Sequence, residues 1–329
     1  MRHLWHGLVF GVLLCVWSGF ALGNPQGAEV VSGRVEFANS GTSALVITNS
    51  PGSIIDWQSF NIEANEVTNF TQESTASAVL NRVVGQAGSS TILGQLESNG
   101  HVFLINGSGV VFGPNAEIDT AGLVVSTLDL SNEDFLAENY HFEGDGGVIE
   151  NEGLLVAGDG GDIWLIAPNI SNSGTIQTAG GDLVLAAGRS VTISSVDGVS
   201  FEVQAPEDEV VNLGALLTAG GAASVFAGTI NHSGSINANA DTVYRDAGGR
   251  VHLLAESDIG LAADSSISAN GVRGGEVHIV STTGDTSVLG TVQAMASSNV
   301  DSDWEIGDGG QINISGRRVG IFGKALLDV

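Results

Sequence analysis

From about residue 150 onward, apolar residues alternate with polar or small ones in short runs, and each run follows a glycine pair. Gly153-Leu-Leu-Val-Ala leads to Gly160-Gly161-Asp-Ile-Trp-Leu-Ile-Ala167, and Gly174-Thr-Ile-Gln-Thr leads to Gly180-Gly181-Asp-Leu-Val-Leu-Ala-Ala187. Further copies start at Gly214 with Gly220-Gly221, Gly234 with Gly248-Gly249, Ser266 with Gly274-Gly275, and Gly290 with Gly309-Gly310. In Ile163-Trp164-Leu165, Leu183-Val184-Leu185 and Val277-His278-Ile279 the outer residues point to one side and the middle one to the other, the period of a strand. The second glycines fall at 161, 181, 221, 249, 275 and 310, giving spacings of 20, 40, 28, 26 and 35. A unit of about 20 residues, lengthened in places by loops, fits these gaps.

Short strands at this period predict a parallel β-helix, each coil setting its strands about 4.8 Å from those of the coil before. Inward Val, Ile, Leu and Ala then stack in columns, outward positions face water, and glycines permit left-handed or crowded backbone at the corners. A β-sandwich of many short strands is the alternative fold, but it leaves the repeated Gly-Gly-x-aliphatic-x-aliphatic unit unexplained. Helix signals are nearly confined to Ser131-Asn-Glu-Asp-Phe-Leu-Ala-Glu138, where Ser131 is placed to cap a turn or two with acids in the first turn. The acidic insert Phe201 to Val210 reads as a solvated loop. Residues His101 to Ile105, followed by Gly107-Ser108-Gly109 and Gly113, look at first like the start of a dinucleotide loop. That fingerprint needs a helix after the glycines; here Val110-Val-Phe-Gly-Pro114 follows, so Asn106 to Gly109 reads as a tight turn between two strands.

The first 23 residues break the pattern. Arg2 and two His precede an apolar stretch from Leu8 to Trp17, and Ala21-Leu22-Gly23 supplies a small-x-small ending. This is the layout of a secretory signal peptide cleaved between Gly23 and Asn24, too short to span a bilayer; a buried N-terminal helix is the other reading. Its removal takes away Arg2 and the single cysteine, Cys15, leaving nine basic against 37 acidic residues. Disulfides are then excluded, so the core alone must hold the mature chain. No later stretch is long and apolar enough for a transmembrane helix. Nucleic acid is a poor partner for so acidic a chain, since phosphate binding needs clustered Lys and Arg.

Candidate chemistry is sparse. A β-helical polysaccharide-active enzyme would need clustered outward carboxylates with a base or Ca²⁺. Asp159 and Asp162, or Asp301, Asp303, Glu305 and Asp308, are the candidates. In the second group Ile306 and Ile312 stand where an EF-hand loop requires Gly and Glu, so both groups read as turn acids. His252 and His278 each lie three residues after the second glycine of a rung, which predicts one outward column. Trp164, Val184, Ser224 and Asn313 share that register and offer no third ligand, so no metal site is assigned. No Gly-x-Ser-x-Gly elbow occurs. Neither a catalytic residue nor a cofactor is expected.

One stretch of wording is more specific than any of these motifs. It runs Ile55-Asp-Trp57-Gln-Ser-Phe60-Asn61-Ile62, Val67-Thr-Asn-Phe70, Val79-Leu-Asn81-Arg82-Val83, Ile92-Leu-Gly94-Gln-Leu96 and Asn99-Gly100-His-Val-Phe-Leu-Ile-Asn106. It continues through Gly109-Val-Val-Phe-Gly113 and Leu123-Val-Val-Ser-Thr-Leu-Asp129. These ordered blocks, over about residues 28 to 190, resemble the N-terminal secretion domain of filamentous-haemagglutinin-like exoproteins of bacterial two-partner secretion. The resemblance implies an all-β, right-handed parallel β-helix with an N-terminal cap and small extra-helical β elements. It implies export through the periplasm of a Gram-negative-type bacterium, then threading through an outer-membrane β-barrel transporter whose periplasmic domains recognise this domain. It implies a non-enzymatic role in adhesion, with a host-cell or surface receptor as further partner. On this reading residues 1–23 are the signal peptide, 24–150 the secretion domain with cap and first coils, and 151–329 continuing repeats. The matching positions are Trp57, Phe60, Asn61, Phe70, Asn81 and Arg82, with Asn106, Gly107, Ser108 and Gly109 as the secretion-motif turn. Where the family commonly has Asn-Pro-Asn-Gly, this turn has lost its Pro, whose fixed φ would hold it in the unfolded chain. Such exoproteins are usually longer, and the rung wording breaks off at Leu326-Leu-Asp-Val329; a short exoprotein, a fragment and a non-functional remnant remain open.

Overall fold

A computed structural model describes residues 23–86, 88–193, 201–203, 208–240, 248–296 and 308–329. Among them the chain winds three long sheets of eleven, nine and twelve strands, parallel except for one end strand in the first and one in the third, a strand of each contributed by nearly every coil. Strands follow their coil neighbours in strict register, as in Ile163↔Leu183 through Ala167↔Ala187 and then Leu183↔Ala223 through Ala186↔Phe226. This is the predicted parallel β-helix, and the pairing of one coil only with the next rules out the sandwich.

The alternation sorts side chains as expected on the inner face. Val125, Leu165, Leu185, Val225, Leu253 and Ile279 form one column in the eleven-strand sheet, all buried. Ile118, Leu155, Ile176, Leu216, Ile236, Ile267 and Val292 form another in the twelve-strand sheet. Together they make one core reaching from Leu45 to Ala294. Strand Val148–Asn151 lies across residue 150, paired on both sides, so the core does not break there.

The paired glycines have two separate reasons. The first of the pair is left-handed at Gly160, Gly180 and Gly220, a conformation that costs other residues about 1–2 kcal/mol. The second is set by crowding: a Cβ at Gly181 would run into the carbonyl oxygen of Gly161, one at Gly221 into that of Gly181, and the same holds at Gly249, Gly275 and Gly310. A file of second glycines therefore lets successive coils close at one corner.

Two additions frame the helix. At the N-terminal end, strands Glu29–Ser32 and Val35–Ala38 pair antiparallel with the first coil and cap it. On the outer face of the eleven-strand sheet, an antiparallel four-strand sheet lies with a short helix, Asn132–Leu136. Ser131 caps that helix by accepting from the Asp134 N–H, with Glu133 and Asp134 in its first turn, as the sequence indicates. The acidic insert is not the expected loop throughout. Strand Phe201–Val203 joins the four-strand sheet beside Ser190–Ile193, and Glu209–Asn212 is a coil strand with Val210 fully buried. Alternating Val210 and Asn212 supply the inward face that its acidity conceals.

This outer sheet changes the meaning of the outward positions. Ile54, Leu80, Phe103, Val124, Ile166 and Val184 point away from the helix axis yet are buried, forming a second core with Leu128, Leu130, Phe135, Phe142, Val191 and Ile193. Phe103 meets Phe135 edge-on at 5.2 Å, and Tyr140 bridges Phe103 and Trp164 at 5.3 and 5.7 Å between ring centroids. Burial, with Glu138 nearby, pushes the Tyr140 hydroxyl up to about 12.

Candidate functional site

The turn after strand His101–Ile105 is pinned by one side chain. Asn106 is buried; its amide donates to the Gly88 carbonyl at 3.1 Å and the Ser90 hydroxyl at 3.0 Å, while its Oδ1 accepts from the Ser108 N–H at 2.9 Å. The Gly109 N–H closes the turn on the Asn106 carbonyl at 3.0 Å. Gly109 has φ +119°, and a Cβ there would crowd Ser89 and the Val148 carbonyl. Asn106 therefore locks its own turn to the coil before it, and Asn and Gly at the two ends are required by contacts in the fold. Only Gly107 and Ser108 are exposed, and each offers its backbone to a neighbouring coil: the Gly107 carbonyl accepts from Gly147, and the Ser108 carbonyl from Ser89.

Of the other positions carried by the resemblance, most lie inside. Trp57, Phe60 and Phe70 are fully buried, Trp57 edge-on to Phe60 at 5.7 Å and to Phe37 of the cap at 5.8 Å. Asn81 sits in an inward column between Ile55 and Leu104, a polar residue in the core. It accepts from the Trp57 indole N–H at 3.0 Å and donates to the Phe103 carbonyl at 3.3 Å. Asn61 accepts from the Thr91 N–H at 2.9 Å. Arg82 holds the outer sheet to the helix: Nη2 donates to the Leu130 carbonyl at 2.6 Å, and Nη1 and Nε stand 3.4 Å from Asp56 and Asp129. These residues build the domain, and a partner meeting the folded protein cannot touch the aromatic ones.

At the cap, Asn24 is buried with its N–H donating to the Glu66 carboxylate at 2.6 Å, and its side chain bonds Thr42 and Thr68. Glu66 also accepts from the Glu63 N–H at 2.9 Å. A chain starting at Asn24 would place its ammonium group on that carboxylate.

Sequence reasoning passed over a polar file at an inner corner. The Gly153 N–H donates to Asn151 Oδ1, Asn151 to Asn172 Oδ1, Asn172 to Asn212 Oδ1, and Asn212 to His232 Nδ1. The donor direction assigns the proton to His232 Nε2, which faces the Ser266 carbonyl at 3.4 Å. Burial pushes His232 below its ordinary value, against the hydrogen bonds to Ser266 and Asn212. The signal is Asn151, Asn172 and Asn212 standing at equivalent places in successive coils.

The histidine column is as the spacing predicts: His252 pairs with His278 in register, the rings 5.2 Å apart and tilted by 52°. His252 Nε2 is buried without a hydrogen bond. Burial, then the charges of His278 and Arg250, pushes His252 down. Among the described residues no group of three or more His, Asp or Glu converges as for a metal. Asp162 Oδ1 accepts from the Asp182 N–H at 2.8 Å; burial raises its carboxyl to about 6 against the pull of that hydrogen bond. Asp301, Asp303 and Glu305 lie outside the described residues, while Asp308 is exposed. No helix among the described residues is long and apolar enough to cross a membrane.

Cap, coils and outer sheet place the chain among parallel β-helical proteins. Within that class, residues 21–318 match the family model described as the TPS secretion domain, and the chain belongs to this family. It is similar to the HMW1 secretion domain from Haemophilus influenzae, with a TM-score of 0.73 at 28% identity, covering 93% of this chain and 98% of that one. It is also 32% identical over 205 residues to a heme/hemopexin-binding protein of H. influenzae strain ATCC 51907 / DSM 11121 / KW20 / Rd, covering 58% of this chain and 22% of that protein. A second heme/hemopexin-binding protein of H. influenzae is 33% identical over 136 residues, 40% of this chain and 14% of its own length. The chain thus spans less than a quarter of the curated relatives it matches.

Proposed function

We propose that this secretion domain, led to the periplasm by residues 1–23 and cut between Gly23 and Asn24, is recognised there by the periplasmic domains of an outer-membrane β-barrel transporter. It then nucleates β-helix folding outside the cell. The observation that carries this reading is an N-terminal cap on a stack in which each coil pairs only with its neighbours. Such a chain can fold from the capped end as it emerges, because its contacts are short in sequence. Each arriving coil buries one more aliphatic layer and opposes return. The turn at Asn106 to Gly109 belongs to recognition of the unfolded chain, since folding leaves only Gly107 and Ser108 outward. The role of the secreted product is non-enzymatic adhesion to a cell or surface.

Co-expression with a two-partner transporter tests this: the chain is expected in the medium only with the transporter present, starting at Asn24. Asn106→Asp, which removes the amide donor, is expected to lower export. Export without a transporter would overturn the reading. Polysaccharide cleavage lost on Asp162→Asn would instead assign an enzyme.

A further inference from the structure

Charge is spread unevenly over the coils. The whole chain carries −27, and charged residues stand on the outer sides of the eleven- and nine-strand sheets, among them Arg250 and Glu276 on one and Glu150 and Glu209 on the other. The twelve-strand sheet starts in the same way, with Glu97, Glu117 and Asp119. From Thr175 onward it changes. Strands Thr175–Ala179, Ala215–Leu217, Ser235–Asn237, Ser266–Ser268 and Thr291–Gln293 follow one another in register without a charged residue.

A groove of about 450 Å³ lies on this face. Register sets Leu217 between Gln177 and Asn237 in one outward column. Two amides about 10 Å apart, twice the strand spacing, therefore flank an aliphatic floor. Ala219 and Ala240 extend the floor, and Asn239 extends the rim. Ala219 is left-handed at φ +44°; glycine would relieve that strain but take the methyl from the floor. The rim amides are oriented by backbone donors. Asn237 Oδ1 accepts from the Asn239 N–H at 2.9 Å, and Asn239 Oδ1 from the Asn270 N–H at 2.7 Å. Each NH2 group is left without a partner among the described residues, and Gln177 is exposed.

We infer that this groove binds an uncharged polysaccharide. Sugar hydroxyls both donate and accept hydrogen bonds, as amides and protein hydroxyls require, and the C–H face of a sugar ring fits on Leu217 and Ala219. No Lys or Arg lines the groove to hold an anionic polymer, which the net charge repels. The backbone beneath is already paired with the coils on both sides, so an extended peptide finds no edge strand to join. Ser235, Ser266 and Thr291 stand in one file and continue the uncharged track along the helix axis. The inference rests on the adhesion reading, for which it names the ligand class, and is independent of transporter recognition.

The purified secreted chain is tested on immobilised dextran, mannan, galactan and chitin, with heparin, alginate and denatured casein beside them. Retention is expected on at least one uncharged polymer and on neither the anionic ones nor casein. Asn237→Asp keeps the acceptor for the Asn239 N–H and exchanges the unpaired NH2 for a carboxylate oxygen; it should cut retention about tenfold. Asn169→Asp, on the exposed side of the nine-strand sheet, keeps its own acceptor for the Glu209 N–H and should leave retention unchanged. Gln177→Glu replaces Asn237→Asp if thermal melts show that variant to be destabilised. Retention on no uncharged polymer, equal retention by the groove variant and the unchanged chain, or preference for casein or an anionic polymer would overturn the proposal. Attachment of chain-coated beads to cells is read in parallel. Attachment that persists while the polysaccharides fail would discard the groove and keep adhesion; failure of both would discard adhesion as well.

Discussion

Asn81 and Trp57 show how one buried polar atom constrains another. The Trp57 indole N–H has Asn81 Oδ1 as its partner deep in the core. Asn81→Ala strands that donor, which costs about 1–3 kcal/mol, and chemical denaturation should register the loss. Adding Trp57→Phe to Asn81→Ala should cost less than the two single changes summed. Two other buried groups pull stability in opposite directions with pH. His232 is lowered from 6.5, so the unfolded chain binds a proton that the folded one refuses; its contribution is complete above pH 6.5 and is lost as pH falls below it. Asp162 is raised from 3.8 to about 6, so its contribution is full below pH 3.8 and is lost as pH rises through 6. Asp162→Asn, which keeps the acceptor for the Asp182 N–H, should therefore raise the melting temperature at pH 7.5 and leave it nearly unchanged at pH 3.5. His232→Asn should reduce the loss of stability on acidification between pH 6.5 and 5. The reverse slopes in thermal melts would contradict both assignments. In sequence Asn81 is legible only as a position shared with the family, and His232 only as the residue that follows Asn151, Asn172 and Asn212 in register; the partners of Asn81 and the burial of His232 and Asp162 are not.

Coils, cap and outer sheet differ in how openly the sequence announces them. The coils were readable because their constraint repeats: every inward site needs an aliphatic residue, and every tight corner a glycine. The glycine pair is a single word for two mechanisms, and a pair of substitutions separates them. Gly160→Ala meets no atom within 4 Å and suffers only its left-handed backbone, about 1–2 kcal/mol. Gly181→Ala sets a methyl on the Gly161 carbonyl oxygen and must push two coils apart, an overpacking cost of about 1–3 kcal/mol before the lost coil pairing is counted. The second variant should melt lower than the first. The outer sheet was legible only through the family resemblance. Periodicity places Phe103 and Val184 on the wet side, yet a sheet assembled from residues 129–130, 140–143, 190–193 and 201–203 covers them. No local pattern brings four segments so far apart in sequence together.

For the molecule as a single stack, the proposed folding-driven export ties the amount secreted to stability. Leu185 is fully buried between Leu165 and Val225, and Leu185→Asp puts a charge into a column with no partner for it. It should lower the melting temperature and reduce the amount secreted, read by immunoblot of medium against cells. Undiminished export of such a variant would separate secretion from folding. By itself the sequence determined the coil, its length and its inward and outward faces, because these follow from residue period and from steric limits acting within about 20 residues. It also supplied the family through ordered wording. Only the tertiary structure decided which outward residues are buried, what Asn106 holds, and where His232 finds its acceptor. Those depend on segments that meet after folding, and no short-range pattern records which distant surface will cover a given side chain.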